Sequence, residues 1–377
     1  MKSFDVVIVG AGIVGSACAG ECAQAGLRVG LVEGNTPASG ATAAGMGHLV
    51  VMDDSPVQLA LTQYSRSLWR QLLPQLPSAV EYESRGTLWV AADDEEMVEV
   101  HAKRAKYAAA GVVSEVLNAS QLAAEEPNLR AGFAGGLLVP DDAVIYPPAA
   151  ATFFLQQAQA LGATCMFGSD AISASDGEVR LADGTRLHGD RIVLATGAST
   201  TLLPSLPIKS RKGHLVITDR YPGFLHHQVV ELGYLKSAHS HQADSVACNI
   251  QPRRTGQILI GSSRQYDNLH PAVDAHMLES MLQRARFYMP GLAKLSALRA
   301  WTGFRASTPD NLPLIGPAAG LSEDESLWLA VGFEGLGITN APAAALLLTD
   351  QMVQRTSAID RAPYLPQRTA DQEYSHA

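Results

Sequence analysis

The stretch DVVIVGAGIVGSACAGECAQAGLRVGLVE, residues 5–33, has the pattern of a strand, a glycine-rich turn, a helix and a second strand. The unbroken apolar run from Val6 to Val9 is typical of a strand buried on both faces. The glycines that follow have the spacing G-x-G-x-x-G. The first allows a tight turn, the second lets a pyrophosphate approach the backbone, and the third lets the helix pack closely on the strand. A helix from about Ile13 to Ala25 and a strand from Arg28 to Val32 complete a βαβ unit.

This turn predicts a site for an adenine dinucleotide. Glu33 follows the glycines by about 20 residues, where a carboxylate can accept hydrogen bonds from a ribose hydroxyl, and the first amides of the predicted helix can face the pyrophosphate. A βαβ unit that binds nothing remains the alternative, and the pattern does not show which dinucleotide binds. The expected contacts are Gly10, Ala11, Gly12, Ile13, Val14, Gly15 and Glu33.

Composition restricts the class of protein. A length of 377 residues with 47% hydrophobic residues allows two or three domain-sized units. The net charge of −9 argues against a nucleic-acid-binding surface. The four cysteines lack metal-binding spacing, so we predict no metal site. We find no signal peptide and no apolar run of about 18 residues, and we expect a cytoplasmic protein, with a peripheral contact to the inner membrane left open.

The later sequence indicates two interleaved domains. The α/β pattern resumes at a buried strand, Arg191 to Ala195, and again near the end of the chain, whereas the intervening segments are rich in strands and turns. We predict an α/β fold class: a discontinuous Rossmann-like domain that binds the dinucleotide, plus a substrate domain with a large, mostly antiparallel sheet. The expected boundaries are 1–80, 140–205 and 310–377 for the first domain, and 81–139 and 206–309 for the second.

Four motifs resemble one family of flavoenzymes. They are the N-terminal turn with Glu33, VLATGAST (193–200), WTGFRASTPDNLPLIGP (301–317) and VGFEGLGITNAP (331–342). In this order and spacing the chain resembles the D-amino-acid oxidase, glycine oxidase and sarcosine oxidase (DAO) family. With GMGHLVVMDDSP (45–56), it looks closest to the flavoprotein subunits of bacterial D-hydroxyproline and opine-type amino-acid dehydrogenases.

The resemblance implies FAD as the cofactor. Two further segments, Ser39 to His48 and Gly332 to Thr339, would hold the flavin ring, with amides of the second facing the part of the ring where negative charge develops on reduction. Attachment motifs of covalent-flavin relatives are absent, so we expect non-covalent binding. The additional contacts implied are Ser39, Gly40, Ala44, Gly45, Met46, Gly47, Ile172, Ala195, Thr196, Gly197, Gly332, Gly335, Leu336, Gly337, Ile338 and Thr339.

The resemblance also implies a substrate site around Arg305. An arginine at this motif position holds the substrate carboxylate in the resembling oxidases, and a guanidinium can do so with two parallel bonds. His48 is a second catalytic candidate, which would orient substrate or take up a proton, although a structural role is equally open. Tyr266 is a third. Tyr234 and Glu334 are weaker candidates, and any of these three could hydrogen-bond an amine.

The implied reaction is oxidation of an amino acid or secondary amine, D-proline-like or D-hydroxyproline-like, to the imino acid by hydride transfer to flavin N5. Some relatives carry basic residues near the flavin that this chain lacks, which favours an acceptor protein or quinone over oxygen. Other subunits of a heteromeric dehydrogenase are left open as partners. The alternatives are a glycine, sarcosine or D-amino-acid oxidase that makes peroxide, a flavin 2-hydroxy-acid dehydrogenase, and a subunit that only carries electrons.

Overall fold

The computed structural model describes residues 2–233, 244–266 and 268–369. Its α-helices are α1 (Ile13–Gln24), α2 (Gly40–Ala44), α3 (Pro56–Leu72), α4 (Asp94–Ala109), α5 (Ala119–Glu125), α6 (Pro147–Ala160), α7 (Ala275–Tyr288) and α8 (Gly337–Met352). Single 3-10 turns lie at Leu73–Gln75, Ser78–Val80, Pro290–Lys294, Ala362–Tyr364 and Pro366–Thr369.

The strands of the first half are β1 (Lys2–Val9), β2 (Val29–Glu33), β3 (His48–Leu49), β4 (Thr87–Ala91), β5 (Glu115–Asn118), β6 (Gly135–Val139), β7 (Ala143–Val144), β8 (Thr164–Phe167), β9 (Ala171–Ser175), β10 (Glu178–Leu181) and β11 (Arg186–Leu194). Those of the second half are β12 (Lys209–Thr218), β13 (Gln228–Glu231), β14 (Ser245–Pro252), β15 (Ile258–Arg264), β16 (Ala297–Ser307), β17 (Leu314–Pro317) and β18 (Leu327–Val331).

The first sheet is built around β1. Its main strand order is β17-β18-β11-β1-β2-β8, and β1 pairs in parallel with both β2 and β11. Side chains of β1 alternate between the two faces: Val6 and Ile8 pack on the helical side, with residues of α1, α6 and α8, whereas Val7 and Val9 pack with β10, β11 and β18. Both faces are therefore buried, as the unbroken apolar run predicts.

The second sheet is mostly antiparallel, with the order β16-β12-β15-β14-β13-β4-β6-β5. The pair β13–β4 is parallel. Helix α7 covers one face, where Met281 and Tyr288 pack with Val216 and Ile260. The two sheets confirm the predicted fold class. The boundaries of the two domains stay a prediction.

The edge strand of the second sheet lies against the first domain. The indole Nε1 of Trp301 on β16 donates to the carbonyl oxygen of Ala44 at 3.3 Å, and a Cβ placed on Gly303 would lie 2.5 Å from that of Ala44. The expected loop from Ser39 to His48 contains the short helix α2, whose last residue is Ala44. This close packing brings β16 to the glycine-rich segment.

The predicted candidate Tyr234 lies outside the described residues. Within the described ranges, none of the helices has both the length and the apolar character needed to cross a membrane.

A buried ion pair links α3 to the segment before β7. Arg66 Nη1 lies 2.7 Å from Asp142 Oδ1, and the two side chains are 7% and 1% exposed. The same Asp142 oxygen accepts from the amide of Val51 at 3.3 Å. The neighbouring pair of Arg70 and Asp141 has a similar distance, 2.6 Å, but its side chains are 43% and 40% exposed.

We predict that Asp142→Ala destabilises the fold by about 3–5 kcal/mol, because Arg66 remains buried without its carboxylate partner. The matched change Asp141→Ala removes an exposed partner and should cost at most about 1 kcal/mol. Urea unfolding followed by circular dichroism measures both variants. An equal loss in the free energy of unfolding in the two variants would contradict the assigned burial of the Arg66–Asp142 pair.

Candidate functional site

A cavity of about 770 Å³ lies where the glycine-rich turn meets β16. This volume is within the range of cavities that bury a cofactor or a drug-sized ligand. Several segments of the described chain form its walls, among them the turn after β1, the segment around α2, residues 195–197, the loop before α8, and β16.

The turn after β1 is closed by direct backbone contact. A Cβ placed on Gly15 would lie 1.9 Å from the carbonyl oxygen of Gly10, and one on Gly10 would lie 2.4 Å from that of Ala195. Gly10 also has a φ of +110°, which favours glycine. Gly12, the N-cap residue of α1, makes no side-chain capping bond. The turn therefore leaves room for a pyrophosphate beside its backbone. It also presents a helix N-terminus, which favours the binding of an anion.

Glu33 ends β2 at this turn and lines the cavity. Its Oε2 accepts from the amide of Ala11 at 2.8 Å, and its Oε1 accepts from the amide of Asn35 at 2.9 Å. The amide of Ile13 donates to the Thr42 hydroxyl at 3.0 Å. The carboxylate is thus fixed at the mouth of the turn, and its position fits a ribose hydroxyl.

The opposite part of the cavity is formed by small residues and a second helix N-terminus. Helix α8 begins at Gly337, and its N-cap, Leu336, makes no side-chain capping bond. A Cβ on Gly45 would lie 2.6 Å from Ile338 Cδ1. The two flavin-ring segments therefore pack closely, and their backbones can approach a flat group. With the turn and Glu33, these features fit FAD.

Arg305 projects from β16 into the cavity wall. Its Nη1 donates to the carbonyl oxygen of Ser263 on β15 at 3.0 Å. A Cβ on Gly213 would lie 2.5 Å from the same nitrogen, so the absence of a side chain at Gly213 makes room for the guanidinium. Arg305 is the only lysine or arginine among the described residues that line the cavity. This geometry suits the binding of a carboxylate.

Three further polar side chains lie beside Arg305. Arg211 is directly opposite it in the β12–β16 register, and the Arg211 side chain is 2% exposed and forms an ion pair with Glu334. Arg211 Nη1 also donates to the Tyr266 hydroxyl at 2.9 Å. Glu334 lines the cavity, whereas Tyr266 does not. Tyr266 therefore contacts Arg211 and is not part of the cavity lining, and its catalytic role stays a prediction.

His48 lines the cavity on the side of α2. Burial lowers the pKa of its imidazole to about 3, so the ring is neutral near pH 7. Its Nε2 is buried and has no hydrogen-bond partner among the described residues. Its carbonyl oxygen accepts from the Thr339 hydroxyl at 2.8 Å, which ties β3 to α8. A neutral ring with one unpaired nitrogen suits hydrogen bonding to a bound group better than it suits proton uptake.

The structure brings most of the predicted contacts to one cavity. Besides Arg305 and His48, the predicted residues in its lining are Gly10, Gly12, Ile13, Val14, Glu33, Ser39, Gly40, Ala44, Gly45, Met46, Gly47, Ile172, Ala195, Thr196, Gly197, Gly332, Gly335, Gly337 and Ile338. Four predicted contacts do not line it: Ala11, Gly15, Leu336 and Thr339. Gly15 instead packs on the backbone of Gly10. Thr339 is buried, with 1% of its surface exposed.

Sequence reasoning missed Arg211, Gly213 and Ser263. All three lie on β12 or β15, and they meet Arg305 only through the pairing of separate strands. The stretch KSRKGHLVIT (209–218) has the β-branched and alternating character of a strand. It contains no motif that shows which of its basic residues is buried beside the cavity.

Comparison with known proteins gives a family match over most of the chain. The family model described as "DAO: FAD dependent oxidoreductase" matches residues 5–351. A glycine oxidase of Pseudomonas aeruginosa is 30% identical, over 97% of this chain and 99% of that protein. Hydrogen cyanide synthase subunit HcnC of the same organism is 24% identical over 97% and 96%. The crystal structure of glycine oxidase from Geobacillus kaustophilus superimposes with a TM-score of 0.87 at 25% identity, covering 98% and 99% of the two chains.

We predict that Glu33→Ala weakens flavin binding by about 10- to 100-fold, because a hydrogen bond to a charged group contributes about 1.5–3 kcal/mol. Titration of the apoprotein with FAD, followed by flavin fluorescence, measures the dissociation constant. Asp5→Ala is the matched control, since Asp5 pairs with Arg28 at 2.6 Å and does not line the cavity. Unchanged affinity in Glu33→Ala would mean that other groups hold the ribose.

Proposed function

Because the chain belongs to the DAO family of FAD-dependent oxidoreductases, we propose that it oxidises a D-proline-like or D-hydroxyproline-like amino acid to its imino acid. The observation that carries this proposal is the position of Arg305 in the wall of the FAD-sized cavity. The glycine oxidases among the relatives support an amine as the group that is oxidised. The motif GMGHLVVMDDSP, residues 45–56, is the basis for preferring a cyclic amino acid.

Arg305 binds and orients the substrate carboxylate in this proposal. Its planar guanidinium can form two parallel hydrogen bonds, which fix both the position and the rotation of the carboxylate. The Ser263 carbonyl and the space at Gly213 hold the guanidinium in turn. FAD, when bound, would supply the ring that accepts the hydride, which carries both electrons of the oxidation. Most of the rate enhancement then comes from positioning the α-carbon.

The surroundings of the substrate site limit what can react there. Phe304 and Leu215 contribute apolar side chains to the cavity wall, and apolar surroundings strengthen the bonds between a guanidinium and a carboxylate. His48 stays neutral near pH 7, because burial lowers its pKa. It therefore adds a hydrogen-bonding nitrogen to the site without adding positive charge.

We propose an acceptor protein or a quinone as the electron acceptor. Arg305 is the only lysine or arginine among the described residues of the lining, and the substrate carboxylate neutralises it. The site then has little positive charge to stabilise a reduced oxygen species. Since HcnC is named as a subunit of a larger enzyme, we also propose that this chain works with further subunits.

An anaerobic reduction experiment tests the substrate class and the acceptor together. The purified holoenzyme is mixed with D- and L-proline, D-hydroxyproline, N-alkyl glycines, opines and 2-hydroxy acids, and bleaching of the flavin is followed. We expect the cyclic D-amino acids to bleach it fastest, and a quinone or dye to reoxidise it faster than oxygen does. Bleaching only by hydroxy acids, or by nothing, contradicts the proposed reaction. Peroxide formation as fast as dye reduction contradicts the proposed acceptor.

We predict that Arg305→Ala lowers kcat/KM for the amino acid by about 10- to 100-fold or more, because loss of a charge-assisted bond costs about 1.5–3 kcal/mol. Arg305→Lys should recover only part of the loss, since an ammonium lacks the planar fork. Gly213→Ala should also reduce kcat/KM, because the new methyl group displaces the guanidinium without removing its charge.

Arg299→Ala is the matched control for this series. Arg299 lies on the same strand, is exposed, and stacks on Trp301 with its guanidinium carbon 5.6 Å from the ring centroid. Flavin content should be the same in all four variants. Near-normal kcat/KM in Arg305→Ala would mean that the carboxylate binds elsewhere in the cavity.

A further inference from the structure

The loop before α8 carries a carboxylate in an unfavourable backbone conformation. Glu334 has a φ of +54°, in the left-handed region where a glutamate is uncommon. The residue after it is Gly335, and Gly332 lies two positions before it, so the loop already contains glycines. A third glycine would relieve the strain at this position. Strained residues that the surrounding structure holds in place are concentrated at functional sites, and Glu334 lines the cavity.

An ion pair and a backbone hydrogen bond fix the position of the Glu334 carboxylate. Arg211, which is buried, forms an ion pair with it, and the Tyr266 hydroxyl accepts from the same guanidinium at 2.9 Å. The backbone amide of Glu334 donates to the carbonyl oxygen of Ala306 at 2.7 Å. Since Ala306 directly follows Arg305, this bond holds Glu334 next to the carboxylate-binding residue. The carboxylate is thus pre-organised at the cavity wall.

The resulting wall has complementary charges for a zwitterion. Arg305 and Glu334 both line the cavity, one as a cation and the other as an anion, while Arg211 stays buried behind them. An amino acid carries a carboxylate and a cationic nitrogen on the same carbon, and each can face the opposite charge. A 2-hydroxy acid has the same carboxylate but offers only a neutral hydroxyl to Glu334.

We propose that Glu334 recognises the cationic nitrogen of the substrate and thereby selects amino acids over 2-hydroxy acids. This inference rests on the proposed function and adds to it the group that distinguishes an amine from a hydroxyl. A carboxylate placed to accept from a charged donor discriminates against an analogue that offers only a hydroxyl, because a charge-assisted hydrogen bond is stronger than one from a neutral donor.

A structural role alone would make Glu334 only the counter-ion of Arg211. The two roles predict different results for ligands that differ only at the nitrogen. A suitable pair is α-methyl-D-proline, which has no α-hydrogen and is not oxidised, and its carbocyclic analogue, in which a methylene replaces the ring nitrogen. Both carry the carboxylate for Arg305, but only the first carries a cationic nitrogen for Glu334.

The experiment measures the dissociation constants of both probes from the perturbation of flavin absorbance in the holoenzyme. We expect the unsubstituted enzyme to bind the nitrogen-containing probe at least about tenfold more tightly, which corresponds to about 1.4 kcal/mol. In Glu334→Gln this ratio should fall towards one, while the affinity for the carbocyclic probe stays the same. Glu323→Gln, the same change at an exposed site, should keep the original ratio.

Two further measurements keep the proposal falsifiable. If Glu334→Gln does not fold, because Arg211 has lost its counter-ion, the double variant Arg211→Met with Glu334→Gln removes both charges and is measured instead. An unchanged ratio in the variant that folds means that Glu334 is only a counter-ion and overturns the proposal. If the unsubstituted enzyme binds neither probe although an amine reduces its flavin, the proposed cyclic substrate class fails, and this inference fails with it.

Discussion

The structure depends on the backbone contact between the glycine turn after β1 and the residue that follows β11. Any side chain at Gly10 would collide with the carbonyl oxygen of Ala195, and any at Gly15 would collide with Gly10 itself. Because β11 pairs with β1 in parallel, this contact joins segments almost two hundred residues apart. It also opens the space at the N-terminus of α1 that an anion can enter. The fold and the cofactor site therefore share one constraint.

A second constraint joins the glycine-rich part of the cavity to the part that contains Arg305. The β12–β16 pairing sets Arg211 opposite Arg305 and Gly213 opposite Gly303. Gly213 makes room for the Arg305 guanidinium because it has no side chain. Gly303 for the same reason lets β16 pack on Ala44. The edge strand of the second sheet therefore packs on the segment around α2, and Arg305 on that strand reaches the cavity that this segment lines. A shift of the register by one residue would turn Arg305 to the other face of the sheet.

The segment that follows His48 is held by buried polar groups. The amides of Val51 and Met52 donate to Asp142 and to the Thr62 hydroxyl, and the Val51 carbonyl accepts from Tyr107. Asp53, at the end of the segment, forms an ion pair with buried Lys103. Such groups are costly to bury unless each is paired, so their pairing rigidifies the segment. His48 and the glycines before it consequently lie on a supported wall of the cavity.

The sequence alone determined the βαβ opening, the role of Glu33 as a cavity residue, the fold class and most of the cavity lining. The βαβ opening and Glu33 follow from local patterns, an apolar run and fixed glycine spacing, whereas the remaining cavity residues were implied by the resemblance of four motifs to the DAO family. Arg211, Gly213, Ser263 and the position of Tyr266 depended on tertiary structure. They meet Arg305 only because β12, β15 and β16 pair in one particular register. That register depends on weak preferences of many residues along whole strands, so no short sequence motif reveals it. Likewise, the amino acids at positions 211 and 334 are visible in the sequence, but their ion pair exists only once β12 and the loop before α8 have been brought together.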